Sequence, residues 1–163
     1  MEESLERLWK ALRPADAHIP PIPSEEWKEL GFQGNDPASD LRAMGPFALM
    51  QLVAFAENCD QAETIYREAQ YGESWYSFAA VSINVTATIF NYLSNGRLDD
   101  VLYKSCTLQP DLWLLNYLHA ELLTLFHQKW GQGRPSNLLV SFNRIYADAC
   151  TAFATQLSNA EIG

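Results

Sequence analysis

Apolar residues recur at steps of three and four along most of this chain, and the polar residues between them mark where each helix starts and stops. Leu5, Leu8, Trp9 and Leu12 share one face of a short amphipathic helix over residues 3–12, closed by Arg13 and Pro14. That face needs a surface to cover; the rest of this domain is the simplest candidate, with a partner or a membrane interface as the alternative. Pro14, Pro20, Pro21 and Pro23 then form an extended connector. Ser24, followed by Glu25 and Glu26, suits a helix start, and Gly31 supplies a stop, so Trp27 sits on a helix of one or two turns. Pro46 opens the next strong helix. Phe47, Met50, Val53 and Ala54, with Leu49, Leu52 and Phe55 on the flank, leave Gln51 as the one polar break. This pattern predicts a central helix buried nearly all round.

Asp60 is placed to cap a helix running to Tyr71, which Gly72 closes. From Trp75 to Leu93 the series Phe78, Val81, Val85, Ile89 and Tyr92 advances by threes and fours up to Asn95 and Gly96. Its β-branched stretch VSINVTATI is the main ambiguity, read as helix from its length and spacing. Leu98 to Lys104 adds a short helix. Pro110 opens a segment with Leu115, Leu118, Leu122, Leu125 and Phe126 on one face, ending at Trp130 and the turn GQGRPS. Ser136 caps the last helix, with Leu138, Phe142, Ile145, Ala149, Ala152 and Phe153 facing inward. The expectation is an all-α, single compact domain of about six or seven helices, with residues 1–23 as an N-terminal helix and proline-rich connector and residues 24–163 as the domain proper.

Composition narrows the function classes. At 163 residues, about half of them apolar, the chain can bury one real core. Its 11 Lys plus Arg against 20 Asp plus Glu give a net charge of -9, which opposes attraction to nucleic-acid backbones and anionic lipid. Cys59, Cys106 and Cys150 are odd in number and far apart, with neither a CxxC pair nor zinc spacing, which fits a reducing cytoplasm. Acidic residues near the start argue against a secretion signal, and the longest apolar runs are too short or too interrupted for a membrane span. The reading is a soluble cytoplasmic protein without a transmembrane segment.

Chemistry of its own is poorly supported. His119 and His127, eight residues apart on one predicted helix, lie about 12 Å apart along its axis and cannot share a metal ion. No GxSxG, Walker loop, HExxH or dinucleotide fingerprint occurs, so no metal and no cofactor of the protein's own is expected. Asn84, Thr88 and Asn91 form a polar stripe that most often ties down a neighbouring loop or faces solvent, with a ligand site as the less common alternative.

The run from Trp27 to Phe55 differs. A polar loop carrying one arginine, Arg42, lies between an aromatic anchor and an apolar helix, a layout that holds a guanidinium in place at little further ordering cost when a partner docks. A structural ion pair between Asp40 and Arg42 is the plainer reading of the same residues. Trp27, Gly31, Phe32, Gln33, Pro37, Asp40, Arg42, Gly45, Leu49, Leu52 and Phe55 together resemble the signature of ELMO domains, found in ELMO-domain-containing proteins and in the engulfment and motility scaffolds. A second block, Tyr76, Ser77, Phe78, Ala79, Val81, Ile83, Asn84, Val85 and Thr86, is similar to the family's other recurring stretch. The resemblance covers essentially all the chain after the connector. Ala43 stands where the family commonly has glycine, Pro46 and Phe47 replace the usual leucines, and Ser39 replaces threonine.

The resemblance implies an all-α fold and activation of GTP hydrolysis on small GTPases of the Arf and Arl families. Arg42 would be the catalytic residue, acting in trans, while GTP and magnesium belong to the partner. It further implies that Gln33, Asp36, Asp40, Ala43 and Gly45 bind the partner or support the loop, and that any membrane association is peripheral and runs through the partner. Its alternative is a noncatalytic interaction module that recognises a GTPase or a Dock-type exchange factor.

Overall fold

The computed structural model describes residues 1–42, 44–104, 111–133 and 138–159, with the backbone alone for Lys104, Leu138 and Leu139. Among the described residues there are seven α-helices, two 3-10 helices and no strand. The α-helices are α1 (Glu2–Leu12), α2 (Gly45–Asn58), α3 (Ala62–Tyr71), α4 (Phe78–Ser94), α5 (Asp99–Lys104), α6 (Leu112–Gly133) and α7 (Leu138–Asn159). The 3-10 helices, Glu25–Leu30 and Pro37–Arg42, both lie between α1 and α2. The protein is all-α, as its periodicity predicts, and the β-branched stretch is the middle of α4. The chain divides into two compact units, residues 1–87 and 88–163, with the boundary inside α4.

In the first unit α1 packs on α2 and α3. Leu5, Leu8, Trp9 and Leu12, the four residues of the predicted stripe, are fully buried, and each gains about 1.5–3 kcal/mol relative to exposure. The Arg7 guanidinium forks onto the Glu57 carboxylate at 2.8 and 2.5 Å, joining the outer sides of α1 and α2. Phe78, at the head of α4, meets the rings of Phe55 and Tyr66, which links α2, α3 and the start of α4.

α2 departs from the expectation of all-round burial. At about 100° per residue, Gln51, Phe55, Ala48, Leu52, Ala56, Leu49 and Val53 form one continuous arc, and all are buried. The remaining arc carries Pro46, Glu57, Met50, Ala54 and Phe47, of which Met50 is 46% exposed. Angular position overrides residue polarity at both sites: Gln51 lies at the edge of the buried arc and is carried inside, while Met50 lies opposite and is carried out.

Other differences concern helix ends. α3 starts at Ala62 with Gln61 at its cap and no side-chain capping bond, so Asp60 does not serve the predicted role. α4 begins at Phe78, leaving Trp75 exposed ahead of it. The Asp111 carboxylate accepts the Leu114 N–H at 2.8 Å, a cap for α6, while the predicted opener Pro110 lies outside the described residues, as do Cys106 and Ser136. α6 runs on through the expected turn glycines to Gly133.

In the second unit α6 packs along α7 and α5 packs against α7. Leu114, Leu118, His119, Leu122, Leu123, Phe126 and Trp130 are the buried face of α6; Leu115 and Leu125, expected there, are half-buried. Phe126 meets Trp130, Phe142 and Tyr146. From the polar stripe of α4, the Thr88 hydroxyl meets the Tyr146 hydroxyl at 2.8 Å, while Asn84 and Asn91 are exposed.

Candidate functional site

The site is built upward from Trp27. Ser24 opens the first 3-10 helix by accepting the Glu26 N–H on its hydroxyl oxygen at 3.3 Å. Its own N–H donates to the Asn35 carbonyl at 2.8 Å, so the start of the helix also ties back the loop that follows it. Trp27 is 1% exposed, with its indole edge-on to Trp9 and Phe32 at 5.4 and 6.4 Å and its N–H donating to the Pro21 carbonyl at 3.0 Å. The aromatic anchor therefore also holds the proline connector.

Gly31 ends this helix at φ +89°, in the left-handed region. A Cβ there would fall 2.3 Å from the Phe78 nitrogen, so glycine is required by conformation and by space. The Gln70 side chain bridges the same junction. Its oxygen accepts the Phe78 N–H at 2.9 Å and its amide donates to the Lys28 carbonyl at 3.3 Å. The Ala80 N–H reaches the Gly31 carbonyl at 3.2 Å. The base of the loop is thus clamped between α3 and the first turn of α4.

Above this base the polar residues bond to one another. The Asp36 carboxylate accepts the Ala38 N–H at 2.9 Å, and the Asp36 carbonyl accepts the Ser39 N–H at 3.0 Å and the Ser39 hydroxyl at 2.8 Å. The Asp40 carboxylate accepts the Gln33 N–H at 2.6 Å and lies 3.4 Å from the Ser39 oxygen. These bonds wind what reads in sequence as open loop into the 3-10 helix Pro37–Arg42, whose Pro37 and Leu41 are buried and which packs on α2.

Arg42 is the last residue of that turn and is exposed. Among the described residues neither an ion pair nor a hydrogen bond engages its guanidinium. Asp40, the nearest acidic residue in sequence, spends its carboxylate on the Gln33 backbone and the Ser39 hydroxyl, so the Asp40–Arg42 pair is not formed. Ala43 lies outside the described residues. Gly45 then enters α2 at φ +58°, with no atom within 4 Å of where a Cβ would stand.

The structure thus brings Gln33, Asp36 and Asp40 together in one brace and leaves Arg42 at its outer end with Gly45 close behind. Gln33 contributes its backbone, and its side chain is exposed. Ser24 and Gln70 also support the loop. Gln70 carries no local signal in the sequence, because Lys28 and Phe78 are 42 and 8 residues away along the chain. Chemically the arrangement offers one permanent cation on a fixed support. Among the described residues no group of three or more His, Cys, Asp or Glu is placed to hold a metal ion. A groove of about 570 Å³ between the end of α1 and α3 is lined by Arg13, Asp16, Tyr66, Arg67 and Tyr71 among others. Its cations are already paired, Arg13 with Asp16 and Glu29 and Arg67 with Glu63, so it is not a second presented charge.

Fold and site together define an all-α protein that presents one braced arginine. The ELMO/CED-12 family model matches residues 1–146, and the chain belongs to that family. It is 32% identical to human (Homo sapiens) ELMO domain-containing protein 2 over 139 residues, covering 85% of this chain and 47% of that protein. ELMO domain-containing protein 1 of Mus musculus is 30% identical over 179 aligned residues, covering 99% and 54%. ELMO domain-containing protein B of Dictyostelium discoideum is 32% identical over 158 residues, covering 96% and 52%. The chain spans about half the length of these relatives. No solved structure matches it.

Proposed function

We propose that this chain activates GTP hydrolysis on a small GTPase of the Arf or Arl families, supplying Arg42 in trans to the partner's nucleotide pocket. The observation that carries the reading is an exposed guanidinium, without a partner among the described residues, at the end of a brace whose two carboxylates, Asp36 and Asp40, accept backbone N–H groups. During phosphoryl transfer negative charge spreads over the transferring group and the leaving oxygen. A guanidinium, always ionised and able to donate in a fork, stabilises that charge by roughly three to five orders of magnitude in rate, about 4–7 kcal/mol at 1.4 kcal/mol per decade. The protein's part is to hold the cation ready; GTP and magnesium belong to the partner. The reaction would take place in the cytoplasm, with any membrane contact made through the partner.

Ala43, in a position where the family commonly carries glycine, favours a second reading, a module that binds a GTPase or a Dock-type exchange factor without accelerating hydrolysis. Parallel assays separate the two. A panel of Arf and Arl proteins is measured for binding in the presence of a nonhydrolysable GTP analogue, and for single-turnover hydrolysis with GTP. Binding together with a rate increase of at least about a hundredfold supports activation. Binding with an unchanged rate supports the module, and no binding to any member sinks both GTPase readings.

A further inference from the structure

We infer that the outward arc of α2, Pro46, Phe47 and Met50, is the docking surface for the apolar loops that flank the partner's nucleotide, an assignment that rests on the function proposed above. Three observations converge on it. Between Asp40 and Glu57 the chain carries one ionisable residue, Arg42, although the whole chain has a net charge of -9. The acids that border this stretch are engaged, Asp36 and Asp40 by backbone N–H groups and Glu57 by Arg7, so the unpaired charge beside the arc is the Arg42 cation, complementary to a phosphate-filled pocket.

The second observation is exposure. Met50 is 46% exposed and Pro46 is exposed, with Phe47 half-buried beside them on the same arc. The third is openness at the joint between cation and arc. A Cβ on Gly45 would meet nothing within 4 Å, which leaves room for another backbone to come close.

Reach then fixes what must touch this arc. An arginine side chain extends only several Å, and each helical residue advances about 1.5 Å, so Met50 lies less than two turns beyond Gly45. A guanidinium seated among the phosphates of another protein therefore brings the first turns of α2 against the loops that border that pocket. Those loops take their ordered form with GTP bound, so a surface reading them distinguishes the GTP state. Methionine suits the role because its unbranched, polarisable chain adapts to irregular apolar contours.

The test compares Met50→Glu and Met50→Leu with the parent and with Arg42→Ala, on whichever GTPase the parent binds, each variant first checked by circular dichroism and thermal melting. Binding is titrated with a nonhydrolysable GTP analogue, and single-turnover hydrolysis is followed at rising concentrations of this chain. Met50→Glu is expected to weaken binding by about ten- to a hundredfold while the rate at saturation returns to the parent's, and Met50→Leu is expected to stay within about threefold. Arg42→Ala should do the converse, keeping affinity and losing rate. Met50→Glu binding as tightly as the parent would overturn the surface and leave the Arg42 proposal standing. A parent that binds but gives no acceleration would overturn Arg42 as a finger, and a loss on Met50→Glu would then still support the surface. If Met50→Glu instead disrupts self-association of this chain, seen by sedimentation, with the GTPase affinity unchanged, the occupant is a second copy and the inference fails.

Discussion

Gly31 and Asp40 set how much freedom Arg42 has, although neither touches it. At φ +89°, with the Phe78 nitrogen 2.3 Å and the Gln70 oxygen 2.7 Å from a built Cβ, Gly31→Ala forces a left-handed alanine into backbone that has no room for it. The expected loss is more than about 2 kcal/mol, read as a lower denaturation midpoint at unchanged slope. Asp40→Ala removes the acceptor of the Gln33 N–H. It should cost about 1–2 kcal/mol, with Asp40→Asn recovering part because one amide oxygen remains, and both should slow partner hydrolysis without removing the cation. Arg42 was legible in the sequence as the one arginine in the Trp27–Phe55 run, and the resemblance singled it out. The brace was legible only as a set of turn-forming residues. That Asp40 serves Gln33 in place of Arg42 depends on a backbone N–H seven residues away coming within 2.6 Å, which residue types do not reveal.

Among the elements, α1 and α2 show what periodicity reports and what it omits. The stripe Leu5, Leu8, Trp9 and Leu12 is a single narrow face, so pattern and burial coincide. α2 is apolar on nearly every side, so the pattern has no phase, and only the packing of α1, α3 and the second 3-10 helix against one arc determines that Gln51 goes in and Met50 comes out. The stagger of α4 was legible for the same reason as that of α1: Phe78, Val81, Val85, Ile89 and Tyr92 all prove buried. The aromatic support under the loop gives an energetic prediction. Trp27→Ala vacates a site between Trp9 and Phe32 and loses the bond to Pro21, at about 3–5 kcal/mol, measurable by urea unfolding.

The Arg7–Glu57 fork between α1 and α2 gives a pH signature. The hydrogen bond from Arg7, reinforced by its charge, holds the Glu57 carboxyl below its ordinary range against a smaller opposing effect of burial. A carboxyl lowered on folding stabilises fully above its unfolded value, about 4.3, and that contribution is lost as the pH falls through the lower folded value. Glu57→Gln should therefore be less stable than the parent at neutral pH, with the gap closing in urea melts run well below pH 4.

For the whole molecule, charge and family membership point the same way. A net charge of -9 spread over 163 residues makes adhesion to polyanions unfavourable. The chain should show no retention on duplex DNA or on phosphatidylserine vesicles at about 0.15 M salt. No helix among the described residues is long and apolar enough to cross a membrane. Membership of the ELMO/CED-12 family rests on a match over residues 1–146, which includes both the arginine loop and the Tyr76–Thr86 block.

The most direct measurement is single-turnover GTP hydrolysis by a bound Arf or Arl protein, at saturating concentrations of the parent chain, Arg42→Ala and Arg42→Lys. If Arg42 enters the partner's nucleotide site, both variants will lower the stimulated rate by about a hundredfold or more with affinity for the GTP-loaded partner retained, lysine failing because a point charge cannot reproduce the guanidinium fork. Equal rates for all three proteins would contradict the account and reduce Arg42 to a surface residue.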